Sequence, residues 1–346
     1  EQLFATSRNW DRPAEPELDD LAYILYTSGT TASPKGVMLS HRNLNNSQNI
    51  AEQMTGGEVV LTEFPLFAIT GCHNVILAGL HVGATVVIQR RFDPEDAIAL
   101  IERHRATSFA GLTQLLQALV DAPGFSPERV RTLQRANVFP RRPEHLGLFR
   151  SVAVDRAGTG YGLTETAGPV TKNTILAEGD VMTHEGWPHP GNEIAIRGFD
   201  GRPATPGEEG EIVVRSPQVM LGYFGNEEAT RAVLEPDGAL RTGDVGRINP
   251  DGSLTWIGRA KDVFKCSGFN VASMEVEAFL RTHPDIVDAA VIGVPDRYKG
   301  EVGAAFIEVR PGAALEPAGV VAYCQGRIAS YKIPGHVRLV EAFPKT

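Results

Sequence analysis

The sequence predicts an α/β fold: a layered large domain over residues 1–258, with a β-rich subdomain at about 190–258, then a small α+β domain over 259–346. Three observations predict it. Between Asp20 and about Arg150, short β-rich runs alternate with helical stretches, the order that builds a mostly parallel sheet with helices on its faces. From about residue 190, strand-like runs follow one another with turn residues between them. Past Arg259, helices and strands alternate again in shorter units.

An apolar run, Leu21-Ala22-Tyr23-Ile24-Leu25, comes first, and Val59-Val60-Leu61 and Thr85-Val86-Val87-Ile88 read as strands. The stretch DPEDAIALIERH, residues 93–104, opens on an N-cap Asp and places Pro at the first helical position. Its apolar residues then recur at helical spacing, so it forms a helix. Residues 193–197 and 211–215 read as half-buried strands, and Asp251-Gly252 between apolar runs signals a hairpin. The small domain reads as a helix at 274–281 with Ser273 as N-cap, strands at 286–291 and 303–309, a helix at 318–328 and a strand near 337–339.

Composition bounds the function. The 346 residues carry a formal charge of −9, which argues against sequence-independent affinity for nucleic acid, since that rests on Lys and Arg neutralising phosphates. No run is apolar enough to span a bilayer, and Glu1-Gln2-Leu3-Phe4 resembles no secretory signal, so a cytoplasmic location is expected. Cys72, Cys266 and Cys324 are isolated, and the nine histidines form no zinc pattern.

Chemistry concentrates in three blocks. Tyr26-Thr27-Ser28-Gly29-Thr30-Thr31-Ala32-Ser33-Pro34-Lys35-Gly36 offers hydroxyls and backbone N–H groups that can converge on anionic oxygens, with Lys35 adding positive charge. It is not a Walker loop, because Pro34 precedes Lys35 and no helix can open there. Gly160-Tyr161-Gly162-Leu163-Thr164-Glu165-Thr166 places a ring between two glycines, then a hydroxyl beside a carboxylate able to hold a hard cation. Arg241-Thr242-Gly243-Asp244 lies upstream of Gly258-Arg259-Ala260-Lys261-Asp262-Val263-Phe264-Lys265-Cys266-Ser267-Gly268-Phe269-Asn270. Each block alone reads equally well as a surface loop or an ordinary turn.

In this order and at this separation, the blocks resemble the adenylate-forming superfamily, and among its members the AMP-dependent acyl-CoA synthetases. Pro65-Leu66-Phe67, residues 210–215, Gly222-Tyr223 and residues 330–334 fall where that family has similar blocks. The resemblance implies ATP-dependent activation of a carboxylic acid to an acyl-adenylate with release of pyrophosphate. Coenzyme A would then take the acyl group as a thioester and release AMP. It implies that Thr27, Ser28, Gly29, Thr30, Thr31 and Lys35 grip the β- and γ-phosphates, and that Tyr161, between Gly160 and Gly162, stacks on adenine. Thr164 would contact the α-phosphate, Glu165 would help hold Mg²⁺, and Asp244 with Arg259 would take the ribose. Lys261 matches a hinge between large and small domains. Lys265 and Gly268 match the segment that faces the site during thioester formation.

The chain also departs from that pattern. About two dozen residues precede the phosphate loop where relatives have a long N-terminal portion, and Phe343-Pro344-Lys345-Thr346 matches only the start of the last family motif. The chain is therefore expected to be truncated at both ends, with both domains incomplete. Ala32 replaces a glycine, Ala68 a frequent histidine, and residues 135–143 replace a Gly-Gly-small-Pro stretch of the adenine pocket. The acyl pocket is expected among His73, Asn74 and residues 111–114. Two alternatives follow: an adenylation unit that loads a carrier protein, and a catalytically silent nucleotide-binding fragment.

Overall fold

The computed structural model describes residues 15–27, 34–52, 54–139, 146–152, 154, 156–176 and 184–343. By contact they fall into two units. One runs to Glu193 and includes Val214–Leu240; the other takes Ile194–Val213 and the chain from Arg241 onward. Residues 194–213 and 241–258, expected in the large domain, thus cluster with the C-terminal segment.

The first unit is built on a seven-stranded sheet in the order Trp187–Pro188, Thr171–Leu176, Arg156–Thr159, Arg135–Phe139, Ser108–Leu112, Val59–Thr62, Thr85–Ile88. The last five in that order pair in parallel, and Thr171–Leu176 is antiparallel to its neighbour. Side-chain alternation divides the core. Leu61, Phe109, Ala136 and Ala157 face the helices Pro94–His104, Thr113–Val120 and Leu146–Ser151 through Ile98, Ile101, Leu116, Leu119 and Phe149. Val60 and Ala110, one residue out of phase, face Val75 and Phe64 on the other side. The expected helix forms with Asp93 as N-cap, its Oδ1 accepting from the Asp96 N–H at 2.9 Å. The run Thr70–Leu77, with no strong periodicity in sequence, is a π-helix. A three-stranded antiparallel sheet joins Leu21–Thr27, Lys35–Ser40 and Gly222–Tyr223.

The second unit contains two sheets. One orders Glu193–Gly198, Gly210–Arg215, Leu240–Ile248 and Leu254–Arg259, with Asp251-Gly252 turning the final hairpin as expected. The other joins Phe269–Ala272, Val263–Cys266, Gly300–Val309 and Ile286–Asp296, with His336–Val340 parallel to Gly300–Val309. Helix Ser273–Leu280 inserts Val276 and Leu280 into its core. Ala272, not Ser273, is the N-cap, and no side chain caps that helix. The expected helix at 318–328 forms as Pro317–Cys324, ending earlier at the extended residue Gln325.

Candidate active site

The two ends of the hydroxyl-rich loop are held together. Thr27 ends one strand and Lys35 opens the next, the two pair in register, and Thr27 Oγ1 donates to the Lys35 carbonyl at 3.5 Å. Ser28, Gly29, Thr30, Thr31 and Ala32 lie outside the described residues. Lys35 Nζ stands 4.9 Å from the centroid of the Tyr223 ring, a cation–π contact. The hydroxyl of Tyr223 donates to Glu165 Oε1 at 2.8 Å. Lys35, Tyr223 and Glu165 therefore form one continuous contact. Tyr223 was noted in sequence only as part of a matching block; nothing local announced it as the bridge.

The turn bearing Tyr161 leaves the carboxyl end of the parallel strand Arg156–Thr159, the edge where open α/β sheets bind ligands. Its glycines are required by close approach: a Cβ at Gly160 would collide with the Thr171 carbonyl, and one at Gly162 with the Gly168 carbonyl. The Tyr161 ring is buried, and its N–H donates to Thr171 Oγ1 at 2.8 Å. Thr164 and Glu165 sit on the 3₁₀ turn Thr164–Thr166, which Thr166 closes by donating to the Leu163 and Gly168 carbonyls at 3.1 and 2.8 Å. Asn46, just beyond the first hairpin, donates to the Ala167 and Pro169 carbonyls and accepts from Gln218 Nε2 at 2.7 Å. Asn46 thus positions the turn, a role that no local pattern signalled.

In the second unit, Asp244 pairs across strands with Arg259, whose Nε lies 3.1 Å from Asp244 Oδ1. The carboxylate is buried and the guanidinium half-exposed. Thr242 Oγ1 accepts from the Asp244 N–H at 3.1 Å and donates to the Ile212 carbonyl at 2.7 Å, fixing the aspartate's backbone. Lys261 is exposed on the 3₁₀ turn Ala260–Asp262, inside this unit. Lys265 is exposed on the next strand, its N–H donating to Glu301 Oε2 at 2.9 Å. Ser267 and Gly268 turn the following hairpin, with φ of 52° and 86°, the left-handed pair of a tight two-residue turn.

A cavity of about 80 Å³ lies in the first unit between the sheet and the π-helix. Val60, Phe64, Val75, Ile50 and Met54 give it apolar walls, and Gly160 and Pro169 bring it to the Tyr161 turn. Asn74 lines it. His73 does not; it is fully buried, with Nε2 3.0 Å from the Leu44 carbonyl and Nδ1 3.1 Å from the Asn74 amide, and burial lowers its pKa. Ala110 lines the cavity, whereas residues 111–114 do not. Two buried groups stand apart from this site. Burial raises the Glu63 carboxyl to about 8, and burial, then the Lys172 charge, lowers His189 to about 4.

Residues 2–224 match the AMP-binding enzyme family, and residues 275–346 match the AMP-binding enzyme C-terminal domain. The chain belongs to the AMP-binding enzyme family. It is 37% identical over 343 residues to a methyl-dioxo-octahydroindenyl-propanoyl:CoA ligase of Mycobacterium tuberculosis, an alignment covering 96% of this chain and 65% of that ligase. ATP-bound MatB from Rhodopseudomonas palustris superposes with a TM-score of 0.84 at 31% identity, covering 96% of this chain and 66% of that one. O-succinylbenzoate coenzyme A synthetase (MenE) from Bacillus subtilis, in complex with ATP and magnesium ion, gives 0.83 at 30%, covering 95% and 68%. This family member thus spans about two thirds of the length of the relatives it matches. No helix among its described residues is long and apolar enough to cross a membrane.

Among the described residues, no three His, Cys, Asp or Glu side chains are grouped to hold a metal ion by themselves. Glu165 nonetheless suits Mg²⁺. One oxygen is anchored by Tyr223, no hydrogen bond from the described residues engages the other, and Mg²⁺ is commonly held by one or two carboxylates together with substrate phosphates.

Proposed function

We propose that this protein is an AMP-forming acid–thiol ligase: it activates a carboxylic acid with ATP, releasing pyrophosphate, and passes the acyl group to coenzyme A, releasing AMP. The observation that carries the proposal is the Lys35–Tyr223–Glu165 contact at the turn bearing Tyr161 and Thr164. It sets a cation, a hydroxyl and a carboxylate beside the turn Thr164–Thr166. In-line displacement at the α-phosphorus asks for positioning and charge neutralisation rather than a protein nucleophile, and these residues supply both.

In this reading Thr27, Ser28, Gly29, Thr30, Thr31 and Lys35 hold the β- and γ-phosphates, and Thr164 orients the α-phosphate. Tyr161 stacks on adenine between Gly160 and Gly162. Asp244 accepts from the ribose hydroxyls, its carboxylate held by Arg259, which supports the same sugar. Glu165 would hold Mg²⁺, which withdraws charge from the phosphate oxygens when bound. Residues 259–346 act as a small mobile domain with its hinge at Lys261, and Lys265 and Gly268 serve the thioester step. The acid lies in the cavity beside Gly160.

The test is ATP–pyrophosphate exchange across a panel of acids, followed by AMP release with coenzyme A or with a phosphopantetheinyl carrier protein. Acid-dependent exchange, coenzyme-A-dependent AMP release and loss of ATP binding in Asp244→Ala are expected. AMP release only with the carrier would replace coenzyme A as the acceptor. A folded protein that binds ATP but exchanges pyrophosphate with no acid would overturn the ligase reading.

A further inference from the structure

We propose that the acid this protein activates is a monocarboxylate without a second charge, and that its body carries a neutral oxygen substituent, a ketone or hydroxyl, which the Asn137 amide reads. The inference rests on the ligase reading and on the cavity beside Gly160 as the acid's place.

The cavity's lining decides the charge. Among the described residues its lining has no ionisable side chain; the polar ones are Thr70, Asn74, Asn137, Thr159 and Thr171. A second carboxylate or a sulfonate buried there would meet no cation among the described residues, and an unpaired buried charge is far more costly than an unpaired neutral group. At about 80 Å³, roughly half the volume of a dry cavity that admits benzene, this partly open space suits a compact body.

The polar lining then separates spent groups from unspent ones. Thr171 Oγ1 donates to the Glu185 carbonyl at 2.6 Å and accepts from Tyr161 N–H, and Thr159 Oγ1 donates to Glu185 Oε2 at 3.4 Å. Asn74 is held by His73. A carbonyl can only accept, so His73 Nε2 carries the proton toward Leu44. His73 Nδ1 lies 3.1 Å from the Asn74 amide oxygen, and burial lowers the pKa of the ring.

Neither Thr70 nor Asn137 makes a side-chain hydrogen bond among the described residues, and the backbone makes room for the Asn137 amide. Asn137 registers opposite Gly158 on the neighbouring parallel strand, and a Cβ at 158 would collide with the amide oxygen. An amide admitted beside apolar walls without a partner has donor and acceptor capacity left for a ligand, the arrangement by which a mostly apolar pocket acquires specificity. A substrate oxygen satisfies it; a plain methylene leaves it unpaired at a cost.

The experiment compares four acids: a short saturated monocarboxylate, its keto and hydroxy counterparts of equal length, and a dicarboxylate. Pyrophosphate exchange gives kcat/KM for each, and calorimetry gives Kd for the matching acyl-sulfamoyl adenosines. Wild-type protein is expected to favour the keto or hydroxy acid over the plain acid by about tenfold or more, with the dicarboxylate poorest. Asn137→Leu should bring that ratio to one or below, and Asn137→Gln should restore part of it. A plain acid bound as tightly as both oxygenated ones, a preferred dicarboxylate, or a ratio unchanged in Asn137→Leu would each overturn the proposal. Absence of exchange alongside the expected ratio of binding constants would sink the ligase reading while leaving the preference in place.

Discussion

Replacing Glu63 by Gln would remove a pH-dependent strain from the end of the strand that lies next to the edge of the parallel sheet. Glu63 follows the strand Val59–Thr62, and both of its carboxyl oxygens are buried without a hydrogen-bond partner among the described residues. Burial holds the acid protonated to about pH 8, against 4.5 for an ordinary glutamate. Because the folded-state pKa is raised, the unfolded chain binds fewer protons than the folded one between these values. Stability is therefore full below about pH 4.5, declines as pH rises, and levels off above about 8. At roughly 1.4 kcal/mol per pH unit, the loss is about 3 kcal/mol at pH 7 and about 5 kcal/mol beyond pH 8. Glu63→Gln keeps the shape and an unionised group, so it removes this slope while retaining a buried polar head. Urea midpoints for both proteins between pH 5 and 8, read by fluorescence and circular dichroism, test it. The variant should gain on wild type by roughly 1.4 kcal/mol per unit; a difference that stays constant with pH would refute the reasoning.

Other expectations address different groups. His189 has its folded pKa lowered to about 4, so its penalty is absent above pH 6.5 and grows as pH falls. Its ring nitrogens have no hydrogen-bond partner among the described residues, and His189→Leu should gain roughly 3 kcal/mol near pH 4 but show no comparable pH-linked gain at pH 7, checked by acid titration of thermal midpoints. Tyr223→Phe deletes the donor to Glu165 Oε1 and should raise the Mg²⁺ concentration for half-maximal exchange by about fivefold or more, since such a hydrogen bond contributes roughly 1 kcal/mol; an unchanged Mg²⁺ curve would remove Tyr223 from the site. Lys261→Pro should leave pyrophosphate exchange standing and block coenzyme-A-dependent AMP release, and equal loss of both in a folded variant would argue against a hinge there.

The elements could be read where one physical signal dominated. The helix Pro94–His104 has an N-cap, an N1 proline and a regular apolar stripe, and Thr85–Ile88 is a β-branched run in a neighbourhood that permits little else. Reading weakened where tertiary contact decided. Ser273 has the chemistry of an N-cap but is drawn into the helix, where it is buried, and Ala272 takes the boundary. The π-helix Thr70–Leu77 has no periodic stripe to announce it. Grouping of the strands at 194–213 and 241–258 with the C-terminal segment depends on contacts between distant residues, which composition does not encode.

The candidate site divides along the same line. Candidates that sit in contiguous motifs could be named from sequence by their resemblance to family blocks: a lysine behind a hydroxyl-rich loop, a ring between glycines, an acid after Thr-Gly. Residues that act across the fold could not. Lys35 and Tyr223 meet because Gly222–Tyr223 adds a strand to the hairpin that holds the loop, and only then can the tyrosine's hydroxyl reach Glu165. Asn137 shows how the two kinds of knowledge combine. In sequence, residues 135–143 read as a departure that put close backbone approach to adenine in doubt. In the structure, strand alternation turns Asn137 toward the cavity with Val60 and Ala110, while Ala136 faces the opposite core. Its side chain lines the cavity beside Gly160, so if the acid binds there as proposed, altering Asn137 should change the ratio between acids more than the affinity for ATP.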